Sequence, residues 1–320
     1  MEEPRGRKKM ARPKVLMVLT SHRLDCLRLA VDCLVHGGSA RRFDHVVLLC
    51  NGVKGAHRRY VEGLPRRFPE VKWDFIHGPR GKGWYISNLQ NECVERYPGG
   101  LYFKIDEDVF VSSDWDVKLE ETYERFRSRR ELALVSATVP NNGVGAWKLL
   151  RDDPEARAEF EKLPNATWEA KASGCVWYYP HLGAWMARRF LDLEACQGRL
   201  RALPEESRWL EWHDRFSINC ICYDYRHWCE LGGVQEHDEV DWGTWIRERN
   251  ALVVFDGHAL CHHYTFFNQQ DWLDRMSLLE ELRRANVPGS GGMLDGLRPL
   301  VRTVKQLPRI LRRRLGRKEG

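Results

Sequence analysis

The sequence of 320 residues lacks two features that would place it in a membrane or send it for secretion. It contains no run of about 18 apolar residues, the length that a bilayer-spanning helix needs. Behind the basic N-terminal residues there is no apolar stretch of roughly 7 to 15 residues, because VLMVLT is followed at once by SHR. We therefore expect neither a transmembrane helix nor a signal peptide.

The motifs of two common ligand sites are also missing. A zinc ribbon needs a pair of Cys-x-x-Cys units, and the ten cysteines form no such pair. No glycine-rich phosphate loop follows the first apolar segment, where the chain reads TSHRLD. Most cysteines lie among Val, Leu and Ile, where a free thiol behaves as a small hydrophobe. We therefore expect reduced cysteines and a cytoplasmic protein.

Positive charge is scarce in the middle of the chain and concentrated at its ends. The formal net charge of +6 comes mainly from the two termini. Residues 1–13 are predicted to form a disordered basic arm and residues 273–320 a helical basic tail. A nearly neutral middle argues against a nucleic-acid-binding protein.

The basic tail has two interpretations, which the sequence leaves open. Apolar residues recur near helical spacing between positions 297 and 317, among Arg and Lys. Such a segment would lie peripherally on the anionic inner face of a membrane, or it would pack as a helix on the body of the protein. Liposome co-sedimentation of the full chain and of a chain truncated after Gly292 distinguishes the two.

Apolar strand-like segments alternate with helix-like segments through the first third of the chain. The strands are predicted at Val15–Leu19, Val46–Cys50, Val71–Ile76 and Leu101–Ile105, and helices separate them, one of them over residues 54–68. A further helix is predicted from Asp271 to about Ala285. This alternation indicates an α/β fold with a mostly parallel sheet flanked by helices. Ligands bind beyond the carboxyl ends of such strands. The crevice is therefore predicted at Thr20–Arg23, Asn51-Gly52 and Asp106–Asp108.

Three adjacent acids, Asp106-Glu107-Asp108, follow the fourth predicted strand. Their charges repel one another unless a cation lies between them. Oxygen ligands suit Mg²⁺ or Mn²⁺, which also hold the phosphates of a bound nucleotide. The alternative is a solvated turn whose acids cap a helix.

Further acids, aromatic residues and histidines mark the second half of the chain. Asp238 and Glu239 begin a predicted helix, where they favour the positive end of its dipole or supply a general base. His262 and His263 follow a late strand predicted at Ala251–Phe255, and either one is a candidate metal ligand. Trp and Tyr side chains crowd between positions 147 and 245, where they fill a core or stack against a sugar ring.

Taken together, these segments resemble the GT-A glycosyltransferases, specifically the large inverting family 2. The resemblance runs from Val15 to Trp272. It is carried by VLMVLTSHRLDCLRLAVDCL, by FDHVVLLCNG, by the run from GKGWYISNLQNE to the acids, and by DEVDWGTWIRERNALVVFDGHALCHH. The chain departs from the family in one place, since it has Asp-Glu where the family usually has Glu-Asp.

The resemblance implies roles for individual residues. Asp108 would bind the metal, Asp106 would bind the metal or the ribose, and one of His262 and His263 would complete the metal site. Glu239 would be the catalytic base, with Asp238 as the alternative. The residues that would contact the nucleotide-sugar are Thr20, Arg23, Asn51, Lys82, Asn91 and Asp106.

The predicted function is that of an inverting glycosyltransferase that uses Mn²⁺ or Mg²⁺ and a nucleotide-sugar, expected to be UDP-linked. The acceptor would be a hydroxyl of a glycan or of a lipid-linked molecule. Residues 14–115 would bind the donor, and residues 116–272 would bind the acceptor and carry the base. The alternatives are a nucleotidyltransferase on a similar fold, a nucleic-acid-binding protein and a non-catalytic sugar-binding module.

Overall fold

The computed structural model describes residues 12–171, 173–264 and 269–289. Within them, nine strands form: β1 (Lys14–Thr20), β2 (His45–Asn51), β3 (Trp73–Gly78), β4 (Leu101–Asp106), β5 (Val109–Val111), β6 (Leu132–Thr138), β7 (Trp209–Trp212), β8 (Cys220–Asp224) and β9 (Leu252–His263).

The same residues form fourteen α-helices, and most of them cover the sheet. The helices of the first half are α1 (Leu24–His36), α2 (Gly55–Glu62), α3 (Leu64–Arg67), α4 (Trp84–Arg96), α5 (Trp115–Phe126), α6 (Gly143–Asp152) and α7 (Pro154–Phe160). Those of the second half are α8 (Cys175–Tyr178), α9 (Pro180–Arg189), α10 (Leu193–Arg201), α11 (Tyr225–Leu231), α12 (Asp238–Arg249), α13 (Gln270–Arg275) and α14 (Leu278–Asn286).

The strands make one mixed sheet in the order β3-β2-β1-β4-β8-β6-β9-β5, with β7 paired to β9. The four strands of the first third are parallel, as the sequence predicted. Strand β8 is antiparallel to both β4 and β6, whereas β6 and β9 are parallel. The predicted α/β class, with a sheet flanked by helices, is confirmed.

Side chains of β4 alternate between the two faces of the sheet, which fixes where its acids lie. Phe103 and Ile105 pack in the hydrophobic core on the side of α1 and α5. Tyr102 packs on the opposite side, with α4 and α12. Lys104 and Asp106 share the face of Tyr102 and therefore lie on the side of α12.

Several boundaries differ from the sequence prediction. Residues 54–68 form two helices rather than one, and the helix expected from Asp271 to Ala285 is divided at Ser277, whose φ is 56°. The late strand, expected to end at Phe255, runs on to His263. The predicted basic arm and tail fall largely on residues 1–11 and 290–320, which lie outside the described residues.

Two further expectations concern cysteines and the membrane. All ten cysteines are free thiols, and only Cys229 is exposed. No helix among the described residues has the length and apolar character needed to cross a bilayer.

Candidate active site

The carboxyl ends of β1, β2 and β4 come together at one edge of the sheet. In the parallel registers, Leu19 lies opposite Asp106, Thr20 lies opposite Cys50, and Asn51 lies opposite Gly78. The loops after these strands are therefore neighbours. The strand pattern predicted that these strand ends would lie side by side.

Glu107, the middle acid of the triplet, turns back into the protein. Its carboxylate accepts hydrogen bonds from the backbone N–H groups of Ser21, His22 and Arg23, each at 3.0 Å, and from the Thr20 hydroxyl at 2.7 Å. Its side chain is only 7% exposed. Glu107 therefore fixes the loop between β1 and α1 against the end of β4, and the N–H groups it accepts from lie at the start of α1.

The side chains of Thr20 and Arg23 are both committed to protein contacts. The Thr20 hydroxyl is fully buried between Glu107 and Nε2 of His57, which lies 2.8 Å away. The Arg23 guanidinium forms ion pairs with Asp25 and Asp274. These side-chain positions therefore give no support to their predicted contacts with the nucleotide-sugar.

Charge balance at Asp106 involves a buried lysine. Nζ of Lys104 lies 2.7 Å from Oδ1 of Asp106, and it also donates to the Ile218 carbonyl at 3.2 Å. Burial raises the pKa of Asp106 to about 6, and repulsion from Asp108 adds to the rise although Lys104 opposes it. Lys104 was not among the predicted site residues. Its position two residues before Asp106 places it on the same face of the strand, which could have indicated the contact.

Asp108 meets His263 because two strands bring them together. Val109 of β5 lies opposite His263 of β9, and the Tyr264 N–H donates to the Asp108 carbonyl at 2.8 Å. Oδ2 of Asp108 is 3.5 Å from Nε2 of His263. Burial alone would lower the pKa of His263, but the charge and hydrogen bond of Asp108 outweigh it, so that this pKa is raised.

His262 points to the other side of β9. Its Nε2 lies 2.8 Å from the carbonyl oxygen of Phe190, and burial lowers the pKa of His262 to about 4. Adjacent residues of a strand face opposite sides, so only one of the two histidines can face Asp108. Of the two candidate metal ligands that the sequence left open, His263 is therefore the one that faces Asp108.

The predicted metal ion can be tested against these donors. The described residues include no group of three His, Cys, Asp or Glu side chains already arranged to hold a metal. The donor types nevertheless suit Mn²⁺ or Mg²⁺, with carboxylates at Asp106 and Asp108 and an imidazole at His263. Burial and repulsion from Asp108 raise the pKa of Asp106. A cation here would offset the repulsion and the cost of burying the negative charge. The donor atoms of these three residues are therefore of the chemical types that bind such an ion.

Asn51 fixes a second loop of the crevice, residues 78–83. Its side chain donates to the Gly81 carbonyl and accepts from the Gly81 N–H, both at 2.9 Å. At the adjoining turn, Gly52 has φ +67°, and a Cβ there would lie 2.2 Å from Cβ of Arg80. Lys82 is exposed on this loop. The loop thus presents a lysine beside the carboxyl ends of β2 and β3.

Asn91 is not in the crevice. It lies in the middle of α4, where its side-chain oxygen accepts from Nε1 of Trp228 and from the Val234 N–H, and its nitrogen donates to the Val234 carbonyl. These bonds hold the segment that leads to α12. The prediction that Asn91 contacts the nucleotide-sugar finds no support in this position.

Helix α12 brings its two acids to the same edge of the sheet. The segment before it lies against the start of α4, since Ser87 Oγ donates to the Gln235 carbonyl. Oε1 of Glu239 accepts from Nε of Arg215 at 2.8 Å. Oδ1 of Asp238 accepts from the Glu239 N–H at 2.7 Å. Both acids therefore stand at the helix N-terminus, on the sheet face that carries Asp106.

Glu107→Gln is expected to lower the free energy of unfolding by about 2–4 kcal/mol. The amide would turn an NH₂ group towards N–H donors and would lose the charge that strengthens these hydrogen bonds. Urea unfolding measures the change. Glu124→Gln is the control, because its carboxylate is 41% exposed and its loss should cost less than about 1 kcal/mol. Equal effects of the two variants would contradict the role assigned to Glu107 in holding the loop between β1 and α1.

Comparison with known proteins adds the fold family. No protein-family model matches the sequence, and no curated protein sequence matches it. Among solved structures, a mannosyltransferase from Pyrobaculum calidifontis in complex with GDP-Man and Mn²⁺ is similar, with a TM-score of 0.50 and 11% identity. The likeness covers 82% of this chain and 60% of the mannosyltransferase.

GalNAc-T7 with UDP, GalNAc and Mn²⁺ is also similar, with a TM-score of 0.49, 9% identity, and coverage of 80% of this chain and 44% of that one. This chain thus spans 60% or less of the length of both structures. At 11% identity, the likeness to the mannosyltransferase establishes the fold alone. The fold is GT-A, as the sequence resemblance implied.

Proposed function

We propose that this GT-A chain is a glycosyltransferase that moves a sugar from a nucleotide-sugar to an acceptor hydroxyl. The observation that carries the proposal is the contact between Asp108 and His263, which β5 and β9 build at the carboxyl end of β4. A carboxylate and an imidazole in contact there, with the carboxyl of Asp106 nearby on β4, suit a divalent cation. The mannosyltransferase with this fold holds GDP-Man and Mn²⁺, which agrees with the proposal.

The donor would lie across the loops at the ends of β1, β2 and β3. Lys82 would contact the diphosphate from residues 78–83, a loop that Asn51 holds in place. The backbone of residues 20–23, fixed by Glu107, would line the nucleoside side. The donor would be UDP-linked, and the cation would be Mn²⁺ or Mg²⁺. Asp108 and His263 would hold the cation, which offsets negative charge on the departing diphosphate.

The base would come from the N-terminus of α12. A carboxylate there takes the acceptor proton, the acceptor oxygen bonds to the anomeric carbon, and the bond from that carbon to the diphosphate oxygen breaks. Attack from the face opposite the leaving group inverts the anomeric configuration. The hydrogen bond from Nε of Arg215 and the ion-pair contact of its Nη2 both reach Oε1 of Glu239, so Oε2 would accept the proton. Asp238 remains the alternative base.

A thermal-shift panel of nucleotide-sugars with and without Mn²⁺ tests the proposal. At a concentration about 100 times its Kd, a ligand that binds only the folded state stabilises it by about 2.7 kcal/mol, which raises Tm by several degrees. The expected result is a shift by at least one nucleotide-sugar that is larger with Mn²⁺ than without it. No shift by any UDP- or GDP-linked sugar in the presence of Mn²⁺ would contradict the proposed donor site.

A further inference from the structure

A cavity of about 390 Å³ lies beside α8, outside the residues assigned above. Its lining includes Asn165, Thr167, Glu169, Lys171, Tyr178 and Tyr179. Tyr178 is 54% exposed and Tyr179 is 39% exposed, which is unusual for large aromatic side chains of this chain. The lining therefore combines amide, hydroxyl and charged groups with two accessible rings.

Contacts of Thr167 and Trp168 hold the wall of the cavity that carries Thr167 and Glu169. The ring of Trp168 stacks on Trp147 with centroids 5.9 Å apart, and the guanidinium of Arg157 lies 3.5 Å from the Trp168 ring centroid. Nε1 of Trp168 also donates to the Trp147 carbonyl. Sγ of Cys175 donates to the Thr167 carbonyl at 3.2 Å and fixes the same segment to α8. These contacts keep the wall in place without a ligand.

Two glycines in close contact bring the cavity lining against α6. A Cβ on Gly143, at the start of α6, would lie 2.1 Å from the Lys171 carbonyl oxygen and 2.5 Å from the Gly174 nitrogen. Only glycine at position 143 allows Lys171 and Gly174 to approach α6 so closely. The cavity is therefore built against the loop that follows β6.

The cavity is attached on both sides to the chain that carries His263. Nδ2 of Asn141 donates to the His263 carbonyl at 2.5 Å, two residues before Gly143. On the other side, Nε2 of Gln269 donates to the carbonyls of Val176 and Trp177, both at 2.8 Å. These hydrogen bonds connect the segments next to the cavity to the chain on both sides of the end of β9.

The charges of the lining cancel. Nζ of Lys171 forms an ion pair with the Glu169 carboxylate, so the cavity carries no excess charge from these two residues. The lysine of the cavity lining, Lys171, is already paired with Glu169, so the cavity offers no unpaired cation to a phosphate group or a nucleotide. An apolar lipid chain would contact polar groups here. A neutral sugar meets both requirements, since its C–H face stacks on an aromatic ring and its hydroxyls pair with amide and carboxylate groups.

We propose that this cavity is the acceptor subsite and that it binds a neutral saccharide, stacked on Tyr178 or Tyr179 and hydrogen-bonded to Asn165 and Glu169. The inference rests on the proposed glycosyltransferase function and names the acceptor class of that site. It assigns Tyr178 and Tyr179, at the end of α8, to substrate binding, whereas the buried Trp residues such as Trp242 fill the core.

Saturation-transfer NMR with millimolar cello-, malto-, manno- and chito-tetraose tests the subsite. The wild-type chain is expected to bind at least one of them. Tyr178→Ala or Tyr179→Ala should weaken that binding by roughly two- to tenfold, the range for one aromatic contact. Tyr225→Ala is the matched control, because Tyr225 lies outside the cavity lining, next to Gly100 at the start of β4, and this variant should bind as wild type does.

The donor thermal shift with Mn²⁺, measured on the same variants, separates this inference from the proposed function. A normal donor shift with no tetrasaccharide bound, or with equal binding by all three variants, would overturn the acceptor subsite and leave the proposed function standing. Absence of the donor shift in the wild-type chain would overturn the proposed function itself. Weakened saccharide binding with an intact donor shift would establish the subsite.

Discussion

Asp108→Asn is expected to reduce sugar transfer by about a thousandfold or more. Asparagine keeps the volume of the side chain but removes the charge that attracts both the cation and His263. A metal that offsets charge on a leaving diphosphate contributes several kcal/mol to the transition state, and each 1.4 kcal/mol is about a factor of ten in rate. Initial rates of transfer or donor hydrolysis, together with Mn²⁺ affinity by electron paramagnetic resonance, measure the effect.

The two adjacent histidines provide a matched control for this prediction. His263→Gln should weaken Mn²⁺ binding, because its imidazole contacts Asp108. His262→Gln should leave Mn²⁺ affinity unchanged, because its imidazole contacts Phe190 on the other side of β9. Full turnover in Asp108→Asn, or equal loss of Mn²⁺ affinity in the two histidine variants, would contradict the proposed metal site.

The first half of the fold could be predicted because its strands are buried on both faces. A segment such as Val46–Cys50 is continuously apolar, and the Asn51-Gly52 turn marks its end. The four parallel strands then require their carboxyl ends to meet at one edge. This reasoning predicts that Asp106 and Asp108 lie at the carboxyl edge of the sheet, and the register of Asp106 with Leu19 agrees with it.

The partners of individual side chains could not be predicted in the same way. Glu107 was grouped with the flanking acids, yet alternation along the chain turns it towards the N–H groups at the start of α1. Asn91 has suitable spacing from the acids, but spacing does not reveal that Trp228 and Val234 occupy its amide. Such contacts come from segments distant in sequence, and local patterns contain no information about them.

The second half was harder to predict because its order in space differs from its order along the chain. Strand β8 lies between β4 and β6 and runs antiparallel to both. The apolar run that begins at Leu252 continues to His263 as one strand, so the orientation of each histidine follows from strand alternation. With the strand assumed to end at Phe255, that alternation could not be applied.

Glu239→Gln and Asp238→Asn, measured separately, should identify the base. The variant that removes the base is expected to lose about 10²–10⁴ in turnover, the usual contribution of general-base catalysis. Both variants should still show the donor-induced thermal shift, because neither residue belongs to the donor loops. Full turnover in both variants with the donor shift intact would show that the base lies elsewhere.

Arg215→Ala separates loss of the base from loss of its ion pair. Glu239→Gln also removes the charge that pairs with Arg215, and the pair is partly exposed, with side-chain exposures of 25% for Glu239 and 43% for Arg215. Such pairs contribute little to stability, so Arg215→Ala should change Tm only slightly. If Glu239 is the base, Arg215→Ala should reduce turnover far less than Glu239→Gln does. Equal losses in the two variants would instead assign Glu239 a structural role and leave Asp238 as the carboxylate that takes the acceptor proton.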